Sequence, residues 1–319
     1  LMFNAVDIVV VGRFSGSQAL AAVGSTTALI NVFTNLFIGI SLGANVLAAR
    51  FFAAGKDREM SETVHTSITL ALISGVIMAF VGLFFSRGAL ELMATPSDVI
   101  DQSALYMKIY FLGMPFFMMY NYGAAILRAV GDTKRPLIFL IISGSVNAVL
   151  NMILVIVFHL DVAGVAIATV ISQMISCILV LRCLYRSEGS YQLRFSRLMI
   201  NKTYLKQIFQ VGIPAGIQST VINFSNVLLQ SSVNSFGSTA MAGYTAANNI
   251  FGFLYVAVNS VTQACMSFTS QNYGVRKYKR MDKVLINCII ISMITSLVLG
   301  CSAYFFGPEI LKIYTKDSE

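Results

Sequence analysis

The sequence predicts an all-α polytopic membrane protein of two six-helix bundles related by a parallel internal repeat, with the second bundle incomplete in this chain. Three observations carry that prediction. Only 11% of the 319 residues are charged while 56% are hydrophobic, uncharged apolar runs recur along the whole length, and two stretches about 220 residues apart resemble each other. A soluble domain carries roughly 25% charged residues, and a mean hydropathy of +0.76 excludes one here. Residues 207–275 contain no Asp, Glu, Lys, Arg or His. About 20 apolar residues cross a bilayer as a helix, so this block alone holds two spans and a turn. A β-barrel is excluded, because barrel strands alternate in segments of about 10 residues whereas these runs are continuously apolar.

Nine apolar segments follow in order: residues 1–11, 27–49, 66–85, 103–127, 136–158, 162–184, 208–233, 245–268 and 284–305. The first is too short to span and begins without a charged flank, so it reads as the second half of a helix. Asp7 interrupts it and no basic stretch precedes it, which argues against a signal peptide. Lys and Arg set the orientation. The connections after the second, fourth, sixth and eighth segments hold 17 of the 22 basic residues, while Arg13, Arg87, Lys108, Lys312 and Lys316 fall to the other side. The N-terminal side and the long connection at about 185–206 are therefore expected in the cytoplasm, in a multi-pass protein of the cytoplasmic membrane. The net charge of +8 is explained by this placement together with contact to lipid headgroups, so no nucleic-acid partner is expected.

The repeat pairs GSQALAAVGSTTALINVFTNLFIGISLGANVLAARFFAAGKDREM from Gly16 with GSTAMAGYTAANNIFGFLYVAVNSVTQACMSFTSQNYGVRKYKRM from Gly237, matching Gly55 to Gly274 after a two-residue offset. Farther on, LELMAT from Leu90 matches ILKIYT from Ile310. A period of six spans, an even number, gives both copies the same orientation, related by an axis along the membrane normal. Residues 1–200 are expected to form the first bundle and 207–319 the first three spans of the second, within a natural protein of twelve spans. Two facing bundles of this kind are a transporter architecture, with the path between the halves.

The strings VDIVVVGRF (6–14), LRAVGDTKRP (127–136), DVAGVAIATVISQ (161–173) and GIPAG (212–216) stand, in this order, where the multidrug and toxic compound extrusion (MATE) family carries similar ones. On these residues the chain resembles a MATE efflux protein over essentially its whole length. The resemblance implies export of amphipathic, cationic organic compounds, exchanged for Na⁺ or H⁺ by alternating access.

Asp7 is the acidic residue that falls inside an apolar run with no basic residue in its own turn. A carboxylate at that depth is costly and marks function by default, although a position near the outer end would leave it merely hydrated. In the fifth segment Ser143, Asn147 and Asn151 form one polar stripe at i, i+4 and i+8; in the sixth, Thr169, Gln173 and Ser176 form another. Hydrogen bonds between helices account for such stripes as well. The resemblance implies more, because Asp7, Asn147, Asn151 and Thr169 match positions that in many members line one pocket for Na⁺ or protons. One carboxylate, two amide oxygens and a hydroxyl are hard donors suited to a small monovalent cation. Where relatives often have a second carboxylate this chain has Asn151, which weakens a proton relay. The seventh segment lacks an acid that some relatives carry and offers Ser219, Asn223, Asn226 and Gln230 instead, as a cavity lining or as helix glue.

Asn4, Tyr120, Gln173, Asn223, Asn226, Gln230 and Tyr255 are the candidate substrate-cavity residues. Thioethers and rings of the run from Met114 to Tyr122 and, in the other half, Tyr244, Phe251 and Tyr255 suit flat or cationic organic molecules, and serve equally as lipid or helix contacts. Pro115 after Gly113, and Pro214 after Gly212, place helix breakers inside spans. The five cysteines form no CxxC pair, and His65 and His159 lie apart, so neither a disulfide framework nor a zinc site is expected. No paired carboxylates, Ser-His pair or HExxH supports an enzyme. The expected partners are small organic substrates and membrane lipid, with the full-length protein acting as a monomer and no cofactor beyond the coupling ion. Flipping of a lipid-linked precursor is the alternative, although it calls for a basic or strongly polar cavity and the mid-span charge here is acidic.

Overall fold

The computed structural model describes residues 7, 10, 11, 14, 16–93, 95, 99–234 and 238–314. The described residues form nine α-helices and no strand: α1 (Gly16–Ala53), α2 (Asp57–Leu92), α3 (Ile100–Leu112), α4 (Met114–Ala129), α5 (Lys134–Met152), α6 (Asp161–Arg186), α7 (Lys202–Asn234), α8 (Ser238–Gly274) and α9 (Tyr278–Tyr314). Asp7, Val10, Val11 and Phe14, ahead of α1, are helical too. Among the described residues, five stretches are long and apolar enough to cross a bilayer: Ala22–Ala53, Asp57–Leu92, Lys134–Val157, Asp161–Arg186 and Tyr278–Phe305. Residues Leu1–Thr220 form one compact unit and Val221–Glu319 a second, the boundary falling within α7.

In α5 the burial pattern of a water-soluble helix is inverted. Its buried residues are Pro136, Ser143, Asn147 and Asn151, while Leu137, Ile138, Ile141, Ile142 and Val149 are exposed. A stripe at i, i+4 and i+8 lies on one helical face. In lipid the apolar face needs no protein cover, whereas the polar face must find partners inside the bundle. The amphipathicity that would solubilise a helix in water here directs Asn147 and Asn151 inward.

Packing in the first unit relies on backbones brought close by small residues, as expected where dispersion rather than water exclusion holds helices together. Gly39 and Gly43 of α1 lie directly on Gly216 and Gly212 of α7, and a Cβ added at any of the four would run into the facing backbone. Two GxxxG faces thus form the α1–α7 crossing. Gly75 of α2 likewise sits on the backbone of Pro115 in α4. Polar links tie α4 to two other helices: Asn45 Nδ2 of α1 donates to the Ala125 carbonyl at 2.7 Å, and the Tyr120 hydroxyl donates to the Pro136 carbonyl of α5 at 3.0 Å.

Two details qualify the sequence reading. The fourth predicted segment is divided at Gly113, which ends α3 and caps α4 with Pro115 in its first turn, where its missing N–H costs nothing. The repeat also shifts its register at one turn. Gly55 between α1 and α2 has φ 65°; its N–H reaches the Phe52 carbonyl, and the Lys56 N–H reaches that of Phe51. Arg276 between α8 and α9 has φ 57° and makes the same pair of bonds, its own N–H to Tyr273 and that of Lys277 to Asn272. Both are Schellman caps. The structural counterpart of Gly55 is therefore Arg276, and the pairing with Gly274 drawn from the sequence is corrected.

Candidate ion site

Four side chains from three helical segments close into a ring of hydrogen bonds. Asn151 Nδ2 donates to Asp7 Oδ1 at 2.6 Å and to Asn147 Oδ1 at 3.3 Å. Asn147 Nδ2 donates to Thr169 Oγ1 at 3.3 Å, and the Thr169 hydroxyl donates to Asp7 Oδ2 at 3.1 Å. None of the four is more than 4% exposed. Asp7 accepts one hydrogen bond on each oxygen and takes part in no salt bridge, all five of those among the described residues lying elsewhere. Among the described residues this buried carboxylate is met by neutral donors, which satisfy its hydrogen bonds but not its charge. Asn151 Oδ1 is buried and has no hydrogen-bond partner among the described residues. The ring thus holds one net negative charge and a spare hard oxygen, the chemistry of a small monovalent cation or a proton.

Local structure sets these positions. Asn147 and Asn151 are one turn apart on α5, and directly beyond them residues Ile153–Val157 form a π-helical turn, a feature frequent at functional sites. The chain then reverses through His159 (φ 51°) and Asp161 (φ 43°), and α6 returns alongside α5 with Gly164 packed on Leu154. That return brings Thr169 level with Asn147.

The other candidate residues are placed as follows. Gln173, one turn beyond Thr169, is buried, and its Oε1 has no hydrogen-bond partner. It abuts Gly113, where a Cβ would crowd it, and its side chain interacts with Tyr110. Tyr120 lies in the first unit with its hydroxyl committed to α5. Asn223 is half-buried and Asn226 exposed in the part of α7 that belongs to the second unit. Tyr255 on α8 is 47% exposed. Asn4 and the side chain of Gln230 lie outside the described residues. Tyr106 and Tyr110 of α3 were not singled out from the sequence; their rings stack at 6.0 Å within the electrostatic reach of Asp7. The spacing of Ser103, Tyr106 and Tyr110 at i, i+3 and i+7 was the signal available.

The family model MatE matches residues 1–153 and 214–319. The chain is 30% identical over 323 residues to the probable multidrug resistance protein YoeA of Bacillus subtilis (strain 168), covering 98% of this chain and 69% of that protein. It is 24% identical over 319 residues to the multidrug export protein MepA of Staphylococcus aureus (strain NCTC 8325 / PS 47), covering 99% and 70%. Among solved structures, a MATE protein in its bent conformation superposes with a TM-score of 0.88 at 21% identity, over 98% of this chain and 70% of that one. An outward-facing multidrug resistance transporter of the same family gives 0.89 at 22% identity, over 99% and 70%. At these identities the structural likeness establishes the fold.

Proposed function

This chain belongs to the MatE family, and from that premise we propose that it exports amphipathic, cationic organic compounds across the cytoplasmic membrane in exchange for Na⁺ or H⁺ moving inward. The observation that carries the coupling is the closed ring around Asp7, a buried carboxylate that makes no ion pair among the described residues. In a water-poor interior such a charge is strongly favoured to take up a cation or a proton. The relatives' names as multidrug resistance and export proteins support the substrate class.

Asp7 supplies the charge, Thr169 and Asn147 supply hydroxyl and amide oxygens, and Asn151 offers the oxygen that has no other partner. An arriving ion neutralises Asp7 and competes with the hydrogen bonds from Asn151 and Thr169. The helical segment bearing Asp7 then loses its hold on α5 and α6, which favours the state that releases substrate outward. Substrate and ion thereby exclude one another, and the coupling is no larger than the ion's differential affinity for the two states. In this reading two bundles alternate about a path between them, the N-terminal side faces the cytoplasm, and one copy suffices.

The test is transport of a fluorescent organic cation by the purified protein in liposomes, under an imposed Na⁺ gradient and separately under a pH gradient. One gradient is expected to drive transport in the wild type and neither in Asp7→Asn. Equal gradient-driven transport by the variant would remove Asp7 from the mechanism.

A further inference from the structure

At the end of α2 opposite Arg87, which pairs with Asp101 at 2.9 Å, the connection that follows α6 folds back over the start of α2 and borders an open cavity of about 810 Å³. Three hydrogen bonds hold it there. The Arg194 N–H donates to His65 Nε2 at 3.1 Å, the Asn201 N–H to Thr66 Oγ1 at 3.2 Å, and Asn201 Nδ2 to Glu62 Oε2 at 2.7 Å. The His65 ring is fixed from its other side, its Nδ1 lying 2.6 Å from the Ser61 carbonyl. Residues Phe195–Arg197 form a single 3₁₀ turn. In that geometry side chains at i and i+3 lie on the same side, so Arg194 and Arg197 both line the cavity.

The charges around the cavity do not cancel. Arg58 is bound to Glu62 Oε1 at 2.9 Å, and Asn201 occupies the other Glu62 oxygen, so that pair is neutral and both of its oxygens are engaged. Asp57 stands in the first turn of α2, where the helix dipole compensates it. Arg194 spends only its Nε, on Gln192 Oε1 at 3.1 Å, and the Arg197 guanidinium makes no hydrogen bond or ion pair among the described residues. Two guanidinium groups free of acidic partners therefore share one concavity, with the hydroxyls of Ser61, Ser190 and Ser196 beside them and Leu198 and Met199 as an apolar side.

We propose that this cavity binds a phosphate-bearing anion, held by Arg194 and Arg197 and clamped between the start of α2 and the connection leading to α7. Paired guanidinium groups match phosphate oxygens in a bidentate manner, and the volume falls in the range that holds a small organic ligand rather than a bare ion. The apolar side and the position at the end of an apolar helix suit the headgroup of an anionic phospholipid; a free phosphate ester presents the same chemistry. A bound anion adds to the three hydrogen bonds that hold the connection to α2. The inference stands on binding alone, so its failure leaves the transport reading untouched.

The experiment has two arms. Calorimetric titration of the purified protein with pyrophosphate measures the free anion. Native mass spectrometry after reconstitution in mixed phosphatidylcholine and phosphatidylglycerol measures retained lipid. Saturable binding in at least one arm is expected, weakened about tenfold or more in Arg194→Gln/Arg197→Gln by loss of charge-assisted bonds, with Arg87→Gln unchanged. Pyrophosphate binding without lipid enrichment assigns the free anion, and the reverse assigns the headgroup. Should the double variant unfold, Arg197→Ala, which removes a side chain making no hydrogen bond or ion pair among the described residues, is expected to fold and to weaken binding alike. Absence of binding in both arms, or binding that these substitutions leave unchanged, overturns the proposal.

Discussion

Asp7 is met by neutral donors, and among the described residues its neighbour Asn151 Oδ1 has no partner; this imbalance makes each ring member testable on its own. Thr169→Val keeps the side-chain volume but removes both a donor to Asp7 and an oxygen ligand. A hydrogen bond to a charged group contributes about 1.5–3 kcal/mol, so the ion concentration for half-maximal transport is expected to change by about tenfold or more, with maximal binding of organic substrate retained. Asn147→Leu is expected to shift it in the same way, and an unchanged ion dependence in both variants would separate the ring from the coupling step. Much at this scale was legible in the sequence: a carboxylate without a cation in its turn, and two amides at i, i+4 on an apolar helix, each stand out against a lipid-facing background. Their meeting was not, because Asp7 and Thr169 are 162 residues apart and only the family resemblance joined them. Tyr106 and Tyr110 escaped notice because aromatic residues are common in spans for reasons unconnected with a site.

The helices read easily as apolar runs, but their crossings did not. Gly39 and Gly43 meet Gly212 and Gly216 across a long separation in sequence, and a GxxxG face does not announce its partner. Gly212→Leu is expected to force α1 and α7 apart, at a cost of about 1–3 kcal/mol or more for overpacking, read as a lower temperature of thermal inactivation; Gly300→Leu, with open space around it, serves as the neutral comparison. The α8–α9 turn offers the opposite sign. Arg276 occupies the left-handed region, which costs a residue with a Cβ about 1–2 kcal/mol, so Arg276→Gly is expected to raise thermal stability modestly. No gain would mean that the side chain compensates for the strain. Helix breakers were only half informative: Gly113 with Pro115 divides the fourth run, whereas Pro214 lies inside an unbroken α7, a bilayer helix tolerating one lost backbone bond where a neighbour packs closely.

At the scale of the whole molecule, composition and the distribution of charge carried most of the information. The all-α membrane fold follows from the apolar runs, and the MatE assignment rests on a match to 1–153 and 214–319. The repeat is visible in the structure as two helix pairs of nearly equal length joined by the same cap, α1–α2 and α8–α9. The proposed orientation yields a clean expectation. In a cysteine-free background, Ser190→Cys should be labelled by a membrane-impermeant maleimide only in inside-out vesicles, and His159→Cys only in right-side-out ones; the reverse pattern would invert the topology.

The central claim is that organic substrate and coupling ion compete through Asp7. Its most direct test is to add an organic cation to the purified protein at equilibrium and to measure the ion set free, as radiolabelled Na⁺ or as protons reported by an indicator dye. The wild type is expected to release ion in proportion to substrate bound, and Asp7→Asn to bind substrate and release none. Equal release from both proteins, or substrate binding by the wild type with no ion released, would contradict the account.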